Sequence, residues 1–175
     1  PDREYDEMCN ELGGTLLKIG PTSNTYINVF DIMEESIEEG KGYLANKLGK
    51  LIGFFNLIFG NLNEEEKAIL EEKIIILYKN KGITFNDKTL YKNKKFKTTK
   101  DMPILEDLYN KLEGNLKTRL KPFVYGSLSY LNKHTNVELN NSIIIADIYE
   151  LGEENIKFGM YIFIELFWDK IKKDR

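Results

Sequence analysis

PDREYDEMCNELGGTLLKIGPTSNTYINVFDI, residues 1–32, decides how the rest of the chain is read. It opens on proline and a charged cluster, Pro1-Asp2-Arg3-Glu4-Tyr5, with no initiator methionine, and so reads as an internal piece of a longer protein. A short helix over residues 2–12 is expected to stop at Gly13-Gly14, because a left-handed residue, most often glycine, terminates many helices. The apolar run Thr15 to Ile19 follows as a strand, closed by the turn formers Gly20-Pro21 and Ser23-Asn24. Helix, double glycine, strand, polar loop and then Ile27-Asn28-Val29-Phe30-Asp31 make the pattern of an α/β unit entered partway.

Composition narrows the classes. A length of 175 residues gives room for one domain or one and a half, and a hydrophobic content of 42% is enough to bury a core. The formal net charge of −3 argues against a dedicated nucleic-acid binder, although it leaves room for a local basic patch. Cys9 stands alone, so no internal disulfide can form and a reducing compartment is expected; its ordinary reading is a small residue on a helix. His134 is the only histidine, so neither a histidine-based triad nor a multi-histidine metal site can be assembled, and it reads as polar loop surface. No apolar stretch reaches the roughly 18 residues of a membrane span.

Outward from residue 32, an acidic run (Glu34, Glu35, Glu38, Glu39) leads to Gly40-Lys41-Gly42, a junction to something helical. Apolar positions 44, 48, 51, 52, 55, 58, 59 and 62 predict a helix over 43–62, with Gly49 and Gly53 on one side where a neighbouring helix can come close. Asn63 is placed to cap the next helix, with Glu64, Glu65 and Glu66 in its first turn, Ile69, Leu70, Ile74, Leu77 and Tyr78 on its buried face, and Lys81-Gly82 as its stop. A further helix is expected from Met102, capped by Asp101 with Pro103 in its first turn, and another over Leu116 to Leu131 that Pro122 must kink or restart. The run Ile143-Ile144-Ile145-Ala146-Asp147-Ile148 predicts a strand covered on both faces. Leu151-Gly152 turns into a final helix, 153–172, apolar almost all round from Ile156 to Trp168 and therefore expected to be buried.

Two groups of short motifs carry a family resemblance. Pro-x-x-Glu-Tyr at residues 1–5, Gly13-Gly14, the strand, and the Asn-x-Phe-Asp segment of residues 28–31 resemble the conjugation ATPases of type IV secretion systems, relatives of the hexameric DNA-pumping motors. Tyr125-Gly126, Leu131-Asn132, Thr135-Asn136 and the strand ending Asp147-Ile148 resemble that family's Tyr-Gly, Phe-Asn-Gly, Thr-Asn and Phe-Asp-Ile order, with Leu131, Lys133 or His134, and Ala146 as departures. The resemblance implies an α/β fragment of a RecA-like nucleotide-binding core, residues 1–40 and 136–175, interrupted by an all-α insertion, residues 41–135, and predominantly helical overall. It implies that the phosphate-binding loop lies before residue 1 and the metal-binding strand after residue 175, since none of the 13 glycines belongs to a Gly-x-x-x-x-Gly-Lys-Ser/Thr motif and no strand ends in Asp-Glu.

By the same resemblance the parent uses ATP and Mg, works as a homo-hexamer with other secretion components, with DNA as a possible partner, and sits at the cytoplasmic face of the membrane. The fragment itself is expected to carry no transmembrane segment, cofactor or metal, and to be inactive alone. Glu4 would support catalysis near the γ-phosphate, with Asp2, Arg3 and Tyr5 beside the nucleotide. For Arg3 and Arg119, structural ion pairs are expected rather than an arginine finger.

Residues 83–101 read differently. Lys88, Lys92, Lys94, Lys95, Lys97 and Lys100 surround Tyr91 and Phe96, the mix a single-stranded nucleic acid would meet, with Lys92, Lys94, Lys95 and Lys97 as the contacts; a solvated loop between helices is the plainer reading. The alternative for the whole chain is thus a non-enzymatic helical interaction module that docks a partner protein, with a lysine-rich loop, residues 88–100, touching single-stranded DNA or an anionic surface.

Overall fold

The computed structural model describes residues 7–9, 11–34, 42–137 and 143–173, with side chains to residue 167. The double glycine works as expected. Residues 7–9 and 11 are helical, and Gly13 then takes φ 65°, a left-handed conformation that costs glycine nothing. At Gly14 a Cβ would lie 3.0 Å from both Cys9 Sγ and Ile143 Cγ2, so only glycine lets the chain pass between the buried cysteine and the next strand. That passage feeds β1, Thr15–Lys18, which pairs in parallel with β2, Ile144–Asp147, in the register Thr15↔Ile144 to Lys18↔Asp147. A parallel pair needs a crossover. Here everything between residues 19 and 143 supplies it.

Helix α1, Tyr43–Phe59, buries Leu44, Leu48, Leu51, Phe55 and Phe59 along one stripe. Its N-cap Gly42 has no side chain to offer, and the Asp87 carboxylate instead accepts the Tyr43 amide at 3.0 Å from 44 residues away. Helix α2, Glu64–Asn80, starts as its sequence predicts. Asn63 Oδ1 accepts the Glu66 amide and Glu66 returns a carboxylate oxygen to the Asn63 amide, a reciprocal box. Leu70, Ile74, Leu77 and Tyr78 are buried, but Ile69 is exposed. Phe30 packs on Phe55 and Tyr78 with ring centroids 6.2 and 6.3 Å away, and the Tyr78 hydroxyl donates to the Phe30 carbonyl at 2.6 Å. One apolar cluster runs from Leu17 to Leu166.

Several expectations are corrected. The segment 83–101 is a two-residue hairpin, Tyr91–Lys92 against Lys95–Phe96, flanked by 3-10 turns at Asp87–Leu90 and Thr99–Asp101, because Tyr91 meets Phe96 edge-on and Phe96 packs on Tyr43. Asp101 and Pro103 do not start a helix. Asp101 accepts the Thr98 amide and so closes the 3-10 turn, and the helix α3, Leu105–Tyr109, begins later with the Ile104 amide on Asp107. Helix α4, Gly114–Tyr125, ends three residues after Pro122, where the Pro122 carbonyl accepts both the Gly126 and Leu128 amides; only a 3-10 turn, Ser129–Leu131, follows.

Strand β2 is only partly buried and its Ala146 is exposed, because among the described residues β1 is its only neighbouring strand. The last helix, α5, Gly152–Lys173, buries Phe158, Ile162, Phe163 and Leu166 yet leaves Ile156, Met160 and Ile164 exposed, so it is two-faced rather than apolar all round. Of the two α1 glycines, Gly53 admits the Tyr161 hydroxyl of α5 to 2.8 Å from where its Cβ would be, whereas Gly49 faces open space.

Arg119 is a structural residue, as expected. Its guanidinium donates to Glu66 at 2.8 Å and to the carbonyls of Phe59 and Gly60, and lies over the Phe59 ring. Arg119→Ala is expected to lower unfolding free energy by about 2 kcal/mol, the loss of charge-assisted bonds to the end of α1. Arg119→Lys should recover only part of it, because an ammonium cannot reproduce the planar fork. Urea denaturation of the two variants reads both values.

Candidate functional site

Residues 28–31 lie in a turn, and a polar side chain organises it. Asn28 Oδ1 accepts the Phe30 amide at 3.1 Å, and its Nδ2 donates to the Pro103 carbonyl at 2.7 Å. The Asn28 amide donates to Thr135 Oγ1 at 2.8 Å, and that hydroxyl in turn donates a hydrogen bond to Asp31 Oδ2 at 2.5 Å. Beside it, Asn136 exchanges bonds with Tyr26 and donates to the Asn24 carbonyl at 2.7 Å. Two segments more than 100 residues apart are thereby clasped through buried groups: Asn28, Asp31 and Thr135 are all under 9% exposed.

Asp31 Oδ1 is buried and has no hydrogen-bond partner. Asp31 also lines a cavity of about 40 Å³ whose other walls include Lys47, Lys50, Phe54 and Tyr161. Lys50 pairs with Glu165 at 3.0 Å and its carbonyl accepts the Tyr161 hydroxyl at 2.7 Å. Burial pushes the Asp31 carboxyl up to about 6, against the opposing pull of the Thr135 hydroxyl, the Lys47 charge and Asn28. The same burial raises the Tyr78 hydroxyl well above its ordinary range, with the nearby Asp31 charge adding to it.

The space suits roughly two or three waters, far below the 300 Å³ or more of a typical ligand site. Among the described residues no group of three or more His, Cys, Asp or Glu could hold a metal.

At the carboxyl ends of β1 and β2, where open α/β sheets place ligands, the loop after β1 is tied down. Ser23 Oγ donates to the Lys18 carbonyl at 2.6 Å, and the Thr22 hydroxyl donates to Glu150, which follows β2. Asp2, Arg3, Glu4 and Tyr5 lie outside the described residues, as do Glu35, Glu38, Glu39 and Gly40-Lys41.

Lys92, Lys94 and Lys95 are exposed on the hairpin. Lys97 is half-buried, and its ammonium donates to the carbonyls of Lys81 and Gly82 at 2.8 and 2.9 Å. His134 is partly buried with Nδ1 3.2 Å from the Thr99 carbonyl. Sequence reasoning gave Asp31 and Thr135 no role. Their spacing carries no signal, and only their membership of two motif segments hinted that they belong together.

No family model and no curated protein matches the chain. Among solved structures, VirB4 of Thermoanaerobacter pseudethanolicus matches with a TM-score of 0.81 and 26% identity, over 98% of this chain and 67% of that one. The chain is VirB4-like. It resembles a fragment of a type IV secretion ATPase, as the motifs at its two ends implied. In this VirB4-like chain those motifs are physically joined: the Asn-x-Phe-Asp segment and the Thr-Asn segment are the two halves of the clasp. No helix among the described residues is long and apolar enough to cross a membrane.

The clasp makes a pH prediction. A carboxyl held near 6 in the fold and near 3.9 when unfolded binds more protons folded than unfolded between those values, so its contribution to stability falls as pH rises from about 4 to 6 and is level above. Asp31→Asn, which keeps an oxygen for Thr135 and carries no charge, should gain on the wild type by up to about 3 kcal/mol between pH 4 and pH 7. Parallel urea titrations at those pH values measure the difference, and a pH-independent one contradicts the assignment. Thr135→Val, which orphans the Asn28 amide and Asp31 together, is expected to destabilise at every pH by about 2–4 kcal/mol.

Proposed function

We propose that the chain is an internal part of an ATPase that energises conjugative DNA transfer or type IV secretion. The observation that supports this best is the parallel pairing of β1 with β2 around a long helical excursion, in a chain that matches VirB4 over 98% of its length. In this reading residues 1–40 and 136–175 belong to a RecA-like core and residues 41–135 form an insertion. The phosphate-binding loop precedes residue 1 and the metal-binding strand follows residue 175. ATP and magnesium are used by the parent, a hexamer that meets other secretion components at the cytoplasmic membrane face. Glu4, Asp2, Arg3 and Tyr5 are assigned to the nucleotide side of that parent. In this reading the part of the described residues is to hold the scaffold: the clasp fixes where the excursion leaves the core and where it returns.

A second reading draws on the exposed Ile156, Met160 and Ile164 of α5. Spaced four apart, they form a stripe that a separate protein could cover if the chain were a stand-alone interaction module.

The gene separates the readings. The reading frame is expected to continue upstream into a strand and a Gly-x-x-x-x-Gly-Lys-Ser/Thr loop, and downstream into an apolar strand ending in Asp-Glu. A frame that starts with methionine next to Pro1 and stops after Arg175 would sink the motor reading. The 175-residue chain alone is expected to release no phosphate from ATP above background in a coupled assay.

A further inference from the structure

We propose that the lysine hairpin and the end of α2 form a binding surface for single-stranded nucleic acid, a role independent of the ATPase reading. Residues 79–100 hold eight lysines against one aspartate, in a chain whose net charge is −3. The one carboxylate within that stretch, Asp87, accepts the Tyr43 amide, and two from outside it stand at the hairpin's edge: Asp101 lies near Lys92 and Lys97, and Glu34 accepts the Tyr91 hydroxyl, so the lysines remain in excess. Of the lysines, Lys97 is engaged in the fold through the carbonyls of Lys81 and Gly82. Lys79, Lys81, Lys88, Lys92, Lys94, Lys95 and Lys100 are exposed.

The hairpin carries these charges at a cost to itself. Lys92 and Lys95 are direct cross-strand partners, an arrangement of like charges that disfavours the pairing. Lys94 sits at φ 66°, a conformation that a long side chain rarely takes. The other cross-strand pair, Tyr91 with Phe96, anchors the hairpin, so the lysine pair is not what holds it together. A polyanion would relieve the repulsion between the lysines.

A nucleic acid fits better than a lipid headgroup surface. The hairpin tip, Asn93-Lys94, has no apolar residue to enter a bilayer. Phe85, more than half exposed within the same stretch, offers a ring on which an unpaired base can stack. That ring selects a single strand over a duplex, whose bases are already stacked.

The test uses the whole chain and a fluorescein-labelled oligothymidine of roughly 20 nucleotides, read by anisotropy. Binding is expected at about 50 mM salt, weakening as salt rises. The triple variant Lys92→Ala, Lys94→Ala, Lys95→Ala should weaken it about 10-fold or more and lower the slope of log affinity against log salt by about 2, near 0.7 per lost phosphate contact. Its melting temperature should equal or exceed that of the wild type, since a repulsion has been removed. Phe85→Ala should weaken binding about 5-fold with the salt slope unchanged. Lys111→Ala with Lys121→Ala, away from the hairpin, should change nothing. The proposal is overturned by no binding at low salt, by equal loss in the Lys111/Lys121 variant, by a duplex bound as tightly as the single strand, or by capture on phosphatidylserine vesicles without binding of the oligonucleotide.

Discussion

The Thr135 hydroxyl is the contact on which this arrangement rests. A hydroxyl has one proton to give and lone pairs to receive with, and Thr135 uses both, accepting the Asn28 amide and donating to Asp31 across 107 and 104 residues of sequence. Because all three groups are buried, each left unmatched would cost far more than the bond is worth when made. The turn at 28–31 is thereby held where Phe30 can enter the core between Phe55 and Tyr78, and the chain returning from Thr135 is aimed at the strand that pairs with β1.

Around that clasp, charged side chains finish helix ends that their own sequence leaves open. Asp87 stands at the amino end of α1, and Arg119 at its carboxyl end on the Phe59 and Gly60 carbonyls. Lys97 sits just past the end of α2 on those of Lys81 and Gly82. The signs all match the helix macrodipole, an anion at the positive end and cations at the negative ends. None is local. Asp87 and Lys97 come from the hairpin segment and Arg119 from α4, so the caps also serve as ties between parts of the excursion.

This division explains what could be read in advance. Asn63 with Glu66, Gly13, and the two strands are short-range patterns, and each is found where its residues predict it. Asp87 capping α1, Asp31 meeting Thr135, and Tyr91 and Phe96 turning a lysine-rich stretch into a hairpin against Tyr43 depend on partners dozens of residues away, which no window of sequence contains. The Pro103 error has a different root: Asp101 and Thr98, three residues apart, had a local bond of their own to make. The exposed faces of β2 and α5 defied an average, because an apolar run records what a segment tolerates and not how many neighbours it has. Half of what mattered at the site, Asp31 and Thr135, was visible only as fragments of two motifs whose meeting had to be seen in three dimensions.

Since Asn28 and Thr135 touch, the excursion between them leaves the sheet and comes back to it at a single neck. Whatever hangs from such a neck can be lengthened, trimmed or exchanged without shifting the register of Thr15 against Ile144. The strands and the excursion are accordingly free to diverge at different rates, with the neck itself as the part that must stay.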